Sequence, residues 1–207
     1  MSGRARRWKG MQLMPNVRRL GGAEHEYPAW RRWMRAIGTT RERYYILTGR
    51  DPLAISEATT VGLMLSAAGQ ANLIGLLEYP TKKRAAVLGW CYGRCDLWLL
   101  APRHSDTEGW AFEVKHRRLT SRSTPTMLTS PVRAAWKDAG ALDVAEASMR
   151  LACTVFYSQS ELAAGSDART TLERLASRSD WAWRISHDRD LPPVYFLFRR
   201  RCRGNKA

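Results

Sequence analysis

The chain has 207 residues, 44% of them hydrophobic, and a formal net charge of +15. This length predicts one domain with a sizeable core, and no apolar run reaches the roughly 18 residues of a membrane span. Four cysteines in a chain this long do not form a disulfide scaffold, and the basic N-terminus lacks the apolar segment of a secretion signal. We therefore expect a cytoplasmic protein in a reducing setting.

The excess positive charge is concentrated at the two ends of the chain. Residues 1–50 contain twelve Lys or Arg and three Glu, and residues 199–207 contain five Lys or Arg and no acid. We predict a basic, partly mobile arm with a docking helix over 1–50, a globular core over 51–198 and a basic tail over 199–207. Basic ends favour a polyanion partner, nucleic acid first, because arginine binds phosphate through charge-assisted contacts. No apolar anchor accompanies them, so we expect no membrane partner.

Helical spacing of large apolar residues predicts the first element, a helix within residues 28–47. These residues are Trp30, Trp33, Met34 and Ile37. The stripe fits a helix that docks on the core, although aromatics among arginines can also stack on bases. In the docked case the intervening arginines would face outward and could still bind phosphates. They are Arg31, Arg32 and Arg35.

Later elements alternate between helical and extended patterns, which indicates an α/β fold. We predict, in chain order, a helix over 53–69, a strand over 72–79 that ends at Pro80, a basic turn over 81–84, a strand over 85–100, a loop over 102–109, a strand over 110–116, a polar loop over 117–130, a helix over 131–148, a strand over 151–157, a helix over 167–177 and a strand over 193–199.

The most informative residues lie on the second and third of these strands. Side chains alternate across a strand, so Glu113 and Lys115 point the same way while Val114 turns into the core. If the two strands pair as a hairpin, Asp96 approaches Glu113. Two carboxylates and one ammonium group would then share a site suited to a divalent cation and to phosphodiester hydrolysis.

This pattern resembles the PD-(D/E)XK nuclease superfamily, which has the restriction-endonuclease-like fold. Asp96, Glu113 and Lys115 match its motif, with Val114 as the variable residue. Cys95 stands where the motif has proline, a position that does not bind metal. The predicted order of elements over residues 53–157 also matches the αβββαβ core of the superfamily, and the resemblance therefore implies a mixed central sheet flanked by helices.

The resemblance implies a metal site with Asp96, Glu113 and the Val114 carbonyl as ligands of Mg²⁺ or Mn²⁺. It implies that Lys115 orients or deprotonates the attacking water, or stabilises negative charge on phosphorus. Many members add a glutamate from the first helix. Glu57 is the acid inside the helix predicted over 53–69 and is the preferred candidate, with Glu78 as the competitor.

Three further arginines flank the motif. Arg117 and Arg118 lie just beyond it and could bind phosphates. Arg94 shares the strand face of Asp96, unless Gly93 introduces a bulge, and would contact the scissile phosphate or pair with a carboxylate.

The function we expect is a metal-dependent endonuclease that hydrolyses phosphodiester bonds, foremost in DNA. A homodimer would suit cleavage of both strands. The alternative is a non-catalytic nucleic-acid-binding protein that uses its Arg-rich ends, with salt-sensitive binding and no metal dependence.

Overall fold

The fold is that of a computed structural model. The residues it describes are 10–14, 26–85, 89–101, 108–143, 145, 147, 149–187 and 191–201. The helices are α1 (Tyr27–Thr48), α2 (Glu57–Gln70), α3 (Pro125–Ala141) and α4 (Asp167–Ser177). The strands are β1 (Gly10–Leu13), β2 (Ile74–Ala85), β3 (Gly89–Ala101), β4 (Glu108–Leu119), β5 (Met149–Ser158), β6 (Trp181–Ser186) and β7 (Val194–Arg201).

The seven strands within the described residues form one mixed sheet in the order β1-β6-β7-β5-β4-β3-β2. β2, β3 and β4 make an antiparallel meander, and β4 and β5 run parallel. Parallel neighbours need a crossover connection, and α3 lies in the one between β4 and β5. The predicted α/β class, the mixed sheet and the pairing of β3 with β4 are confirmed.

The predicted docking of the first helix is confirmed. Trp30 and Trp33 on α1 are fully buried, and the Trp30 ring stacks on Trp110 of β4 with centroids 5.0 Å apart. The Trp33 indole donates a hydrogen bond of 2.9 Å to the Met64 carbonyl of α2. α1 and α2 therefore cover one face of the sheet together. No helix among the described residues has both the length and the apolar character needed to cross a membrane.

The other face of the sheet is covered by α3 and α4. Leu128 and Val132 of α3 and Leu172 of α4 pack in one cluster with Phe156 of β5 and Leu197 of β7. The sheet therefore lies between two helical layers, and each layer is held by burial of apolar side chains on its own face.

The predicted end of a strand at Pro80 and the basic turn over 81–84 are wrong. β2 continues through Pro80 to Ala85, with Pro80 opposite Arg94 of β3. β2 is the last strand of the sheet. Proline is tolerated there because the missing N–H is not needed by a further strand.

The predicted start of a helix at Pro131 is also wrong. α3 begins at Pro125, where the Thr124 hydroxyl accepts a hydrogen bond of 3.3 Å from the Met127 backbone N–H. Thr124-Pro125 carries the same capping signal as Ser130-Pro131, six residues earlier. Pro131 lies inside α3, and the helix ends at Ala141 rather than 148.

Parts of both predicted basic extensions belong to the sheet. Residues 10–13 form β1, which pairs with β6, and neither strand was predicted. Arg199 and Arg201 lie in β7 with their guanidinium groups 4.2 and 4.1 Å from the centroid of the Trp136 ring. These arginines are therefore not free to act as a tail. Residues 1–9, 15–25 and 202–207 of the predicted extensions lie outside the described residues.

A buried ion pair fixes the chain just before α2. Arg41 of α1 is fully buried and donates to both oxygens of Asp51, at 3.0 and 2.6 Å. Asp51 also accepts from the Leu53 N–H and so starts the 3₁₀ turn Pro52–Ala54. This ion pair orients the segment that leads into α2.

We expect Asp51→Ala to lower the free energy of unfolding by about 3–5 kcal/mol, because it leaves the Arg41 charge buried without its carboxylate. The measurement is urea unfolding. Glu173→Ala is the control, because Glu173 pairs with Arg169 on an exposed part of α4 and its loss should cost less than about 0.5 kcal/mol. A loss below about 1 kcal/mol in Asp51→Ala would contradict this assignment.

Candidate active site at the fork between β3 and β4

β3 and β4 separate part of the way along the sheet. Their pairing extends from Ala101↔Glu108 to Leu97↔Phe112. Beyond that point β3 stays paired with β2 as far as Gly89, and β4 stays paired with β5 as far as Leu119. We call this place of separation the fork.

At the fork, two carboxylates accept the backbone hydrogen bonds of β4 that β3 no longer accepts. The Val114 N–H donates to Asp96 Oδ2 at 2.6 Å, and the His116 N–H donates to Glu57 Oε2 at 3.0 Å. N–H groups two residues apart point to the same edge of a strand, so both donors face the side that β3 has left. Satisfying these donors brings Asp96 and Glu57 to one stretch of β4.

Asp96 points along the sheet because β3 is distorted there. Residues i and i+2 of a regular strand share one face. Cys95, however, packs with Ala111 on the α3 side, whereas Leu97 belongs to the core under α1 and α2. The β2–β3 pairing passes from Leu77↔Leu97 to Tyr79↔Cys95, and Glu78, which lies between these pairs on β2, has a left-handed φ of 47°. The strand therefore twists at Asp96, and its carboxylate reaches the β4 backbone.

Glu113 is a buried carboxylate on the α3 side of β4. It is 2% exposed, and its Oε1 lies 2.7 Å from the Lys83 ammonium. Lys83 reaches it by crossing Gly93, where a Cβ atom would lie 2.9 Å from the Lys83 side chain. Burial raises the pKa of Glu113 to about 7. The hydrogen bond and charge of Lys83 lower this pKa, and the negative charge of Asp96 raises it further. Glu113 thus titrates near neutrality.

Lys115 lies on the same side as Glu113, as the alternation predicts, and Val114 between them is fully buried in the opposite core. The Lys115 ammonium lies 3.1 Å from Asp138 Oδ2 on α3. Burial alone would lower the pKa of Lys115, but the carboxylates of Asp138, Glu57 and Asp96 together raise it above its ordinary value. Lys115 is therefore a firmly protonated cation among carboxylates.

Both candidates for the accessory glutamate border the same recess of about 170 Å³, which Asp96 also lines. Glu57 is at the first turn of α2 and is bound to the His116 N–H. Glu78 is exposed and pairs with Arg94, whose Nη1 lies 2.6 Å from its Oε2. The geometry therefore favours Glu57, and it gives Arg94 a carboxylate partner.

Two residues of the site were missed by the sequence reasoning. Asp138 lies three residues after Ala135 and next to Ala139, both on the buried stripe of α3, and this spacing was the signal that could have placed it near the sheet. Lys83 was assigned to a turn, and only the β2–β3 register, with Gly93 beside it, reveals its path to Glu113.

The predicted phosphate-binding arginines are all exposed but occupy different surfaces. Arg117 lines a groove of about 360 Å³ with Glu57 and Lys115. Arg118 donates to the side chain of Gln159. Besides Arg94, which pairs with Glu78, the other three lie on the outer side of α1, away from its buried stripe. They are Arg31, Arg32 and Arg35.

The donor atoms at the fork suit a hard divalent cation. Within the described ranges, no three His, Cys, Asp or Glu side chains are grouped so as to hold a metal ion by themselves. The motif of two carboxylates and a backbone carbonyl needs no third side chain, and oxygen is the donor that Mg²⁺ and Mn²⁺ prefer. The raised pKa of Glu113, caused by burial and by neighbouring negative charge, is the condition that a bound cation would relieve.

A more voluminous cavity bounded by described residues lies elsewhere. It has a volume of about 740 Å³ and is lined by parts of β1 and β6 and by residues 191–193. None of the motif residues lines it, and its Arg184 is already paired with Glu161. The volume of a cavity therefore does not identify the candidate active site in this protein. The grouping of charged side chains at the fork does.

Comparison of the chain with protein-family models, with curated proteins and with solved structures gives no match.

We expect Glu113→Gln to raise the free energy of unfolding at pH 8 by about 1–3 kcal/mol. The unfolded carboxyl releases its proton near pH 4.5 and the folded one near pH 7. Its contribution to stability is therefore complete below pH 4.5 and is lost as the pH rises through 7. Lys83, with a side chain 25% exposed, can turn to water once Glu113 is neutral.

Urea unfolding at pH 8 and at pH 5 measures this difference, with Glu173→Gln on the exposed side of α4 as the control. The gain should shrink at pH 5, where Glu113 is protonated in the wild type. A Glu113→Gln protein less stable than the wild type at pH 8 would contradict the assignment.

Proposed function

We propose that this protein is a metal-dependent nuclease of the PD-(D/E)XK type, which hydrolyses phosphodiester bonds in DNA. The observation that carries the proposal is the fork. There, one opening between two strands gathers Asp96, Glu113, Lys115 and Glu57. A stable core has little reason to bury a carboxylate whose pKa is raised to about 7, and such groups concentrate at functional sites.

The order of elements supports a restriction-endonuclease-like core. α2 is followed by the antiparallel meander of β2, β3 and β4, then by α3 and the parallel strand β5. In this proposal these elements correspond to the αβββαβ core of the superfamily. Glu57 would then come from the helix of that core, here α2, Asp96 from β3, and Glu113 and Lys115 from β4.

The charges of the site define the roles of its residues. Asp96 and Glu113, with the carbonyl of Val114, would hold the metal, and Glu57 would complete the acidic site. A bound Mg²⁺ or Mn²⁺ ion would lower the pKa of the attacking water and offset negative charge on the phosphate. Lys115 would stabilise charge developing on phosphorus, because its raised pKa keeps it protonated and unable to accept a proton from water. Asp138 would position the Lys115 ammonium.

Nucleic acid is the polyanion that fits this site and the net charge of +15. Arg117 borders the groove that contains Lys115 and Glu57, where it could bind a phosphate next to the one being cleaved. Arg31, Arg32 and Arg35 form an exposed basic face of α1.

The second candidate function is non-catalytic binding of nucleic acid. The exposed arginines of α1 favour it independently of the fork. It would give binding that weakens steeply with salt and shows no dependence on metal.

The experiment that tests the proposal is cleavage of plasmid and single-stranded DNA by the full chain, with and without Mn²⁺. We expect Asp96→Asn and Lys115→Met each to lower the rate at least about 100-fold, because each removes a group that acts on the reacting phosphate. DNA binding in EDTA should change far less. Glu57→Gln should also slow cleavage, whereas Glu78→Gln, its exposed neighbour at the recess, is the matched control.

Cleavage that persists in Asp96→Asn would refute the site. The non-catalytic alternative would be supported if the wild-type protein binds DNA tightly and in a salt-sensitive way. In that case it should cleave neither plasmid nor single-stranded DNA, whether Mg²⁺ or Mn²⁺ is present.

A further inference from the structure

A two-stranded ribbon extends beyond the fork. It consists of residues 79–85 of β2 and 89–95 of β3, which pair from Tyr79↔Cys95 to Ala85↔Gly89. The pairing of β3 with β4 ends at Leu97↔Phe112, so β4 does not pair with the ribbon. Its contacts with the chain after α3 include the Asp143 N–H, which donates to the Lys82 carbonyl, and a single bridge between Lys83 and Leu142.

One face of the ribbon carries two exposed aromatic rings. Trp90 is 54% exposed and Tyr92 is 88% exposed. Their cross-strand neighbours, Arg84 and Lys82, are exposed cations. The ribbon therefore presents two ring-and-cation pairs, Trp90 with Arg84 and Tyr92 with Lys82, one after the other.

One face of the ribbon is turned towards the candidate site, and the other is exposed. Lys83 and Gly93 lie on the face turned towards Glu113, where Lys83 forms its ion pair. Trp90 and Tyr92 alternate with these positions and so point to the opposite face. A tyrosine ring exposed to this degree on a strand contributes little to the core. The chemistry of this face suits an external partner that offers flat rings and negative charge.

The exposed face leads to the carboxylates of the fork. Trp90, Tyr92 and Arg94 occupy alternate positions on β3, and Asp96 follows two residues after Arg94, where the strand twists and the carboxylate turns to the β4 backbone. At about 3.3 Å per residue, Tyr92 lies roughly 13 Å along the strand from Asp96. Arg94 pairs with Glu78, which lines the same recess as Asp96. A chain lying on the ribbon would thus run towards the candidate active site.

We propose that the ribbon is a binding platform for an unpaired DNA strand, which it directs to the site at the fork. Trp90 and Tyr92 stack on successive bases, while Lys82 and Arg84 neutralise the phosphates between them. An unpaired strand is the occupant because stacking on these rings needs open base faces, which a duplex conceals. The acidic Asp143 borders one side of the platform and disfavours a phosphate there. As a statement of substrate class, the inference rests on the proposed nuclease function, but the binding itself does not.

The test is binding of the full chain, in EDTA, to a fluorescent oligonucleotide of roughly 20 bases, measured by anisotropy beside the corresponding duplex. We expect Trp90→Ala and Tyr92→Ala each to weaken single-strand binding about tenfold or more. Tyr92→Phe keeps the ring and should bind like the wild type. Tyr44→Ala is the matched control, because Tyr44 is a 37% exposed ring on α1.

The cations of the platform have a separate signature. Lys82→Ala and Arg84→Ala should each reduce the slope of log affinity against log salt by about 0.7, whereas the ring variants should leave it unchanged. Thermal melting close to that of the wild type would show that the variants fold.

Unchanged single-strand affinity in both ring variants, or an equal loss for the duplex, would overturn the platform. Cleavage assayed separately with Mn²⁺ distinguishes the two claims. Ring-dependent binding without any cleavage supports the platform and removes the nuclease. Metal-dependent cleavage by ring variants that bind as the wild type does removes the platform and leaves the nuclease.

Discussion

The candidate site depends on two hydrogen bonds from the β4 backbone to carboxylates. Where β3 leaves β4, the N–H groups of Val114 and His116 would lose their partners, and Asp96 and Glu57 accept them instead. Backbone donors in the interior of a sheet are seldom left unpaired. Because carboxylates accept these hydrogen bonds, the place where the sheet opens is also the place where negative charge collects. Residues far apart in the chain, on α2 and β3, are brought to the same edge by this requirement.

The separation of the two strands also shapes the surface around the site. Among the described residues, the part of β3 beyond the fork pairs only with β2, and the ribbon exposes Trp90 and Tyr92 on one side. On the other side Lys83 crosses Gly93 and neutralises part of the charge on Glu113. A buried carboxylate whose pKa is raised to about 7 destabilises the fold at neutral pH. Such a group is typical of a site kept for its chemistry.

Local patterns in the sequence predicted the parts of the site that depend on one strand. Alternation placed Glu113 and Lys115 on one face with Val114 buried, and helical spacing predicted the buried stripe of α1. Contacts between distant elements were not predictable in this way. Alternation would have put Asp96 on a face of the sheet, whereas β3 twists at this residue and its carboxylate accepts from the β4 backbone. Lys83 was not predicted as a site residue because Pro80 indicated the end of a strand. Proline is tolerated in β2 because β2 is an edge strand, and that position depends on the order of all strands in the sheet.

The central claim is that the carboxylates at the fork form a site for a divalent cation. The most direct test is titration of the full chain with Mn²⁺, followed by the electron paramagnetic resonance signal of the free ion. The account predicts a site that is lost in Asp96→Asn and retained in Glu78→Gln, whose carboxyl is exposed and paired with Arg94. Absence of Mn²⁺ binding, or binding that Asp96→Asn leaves unchanged, would contradict it.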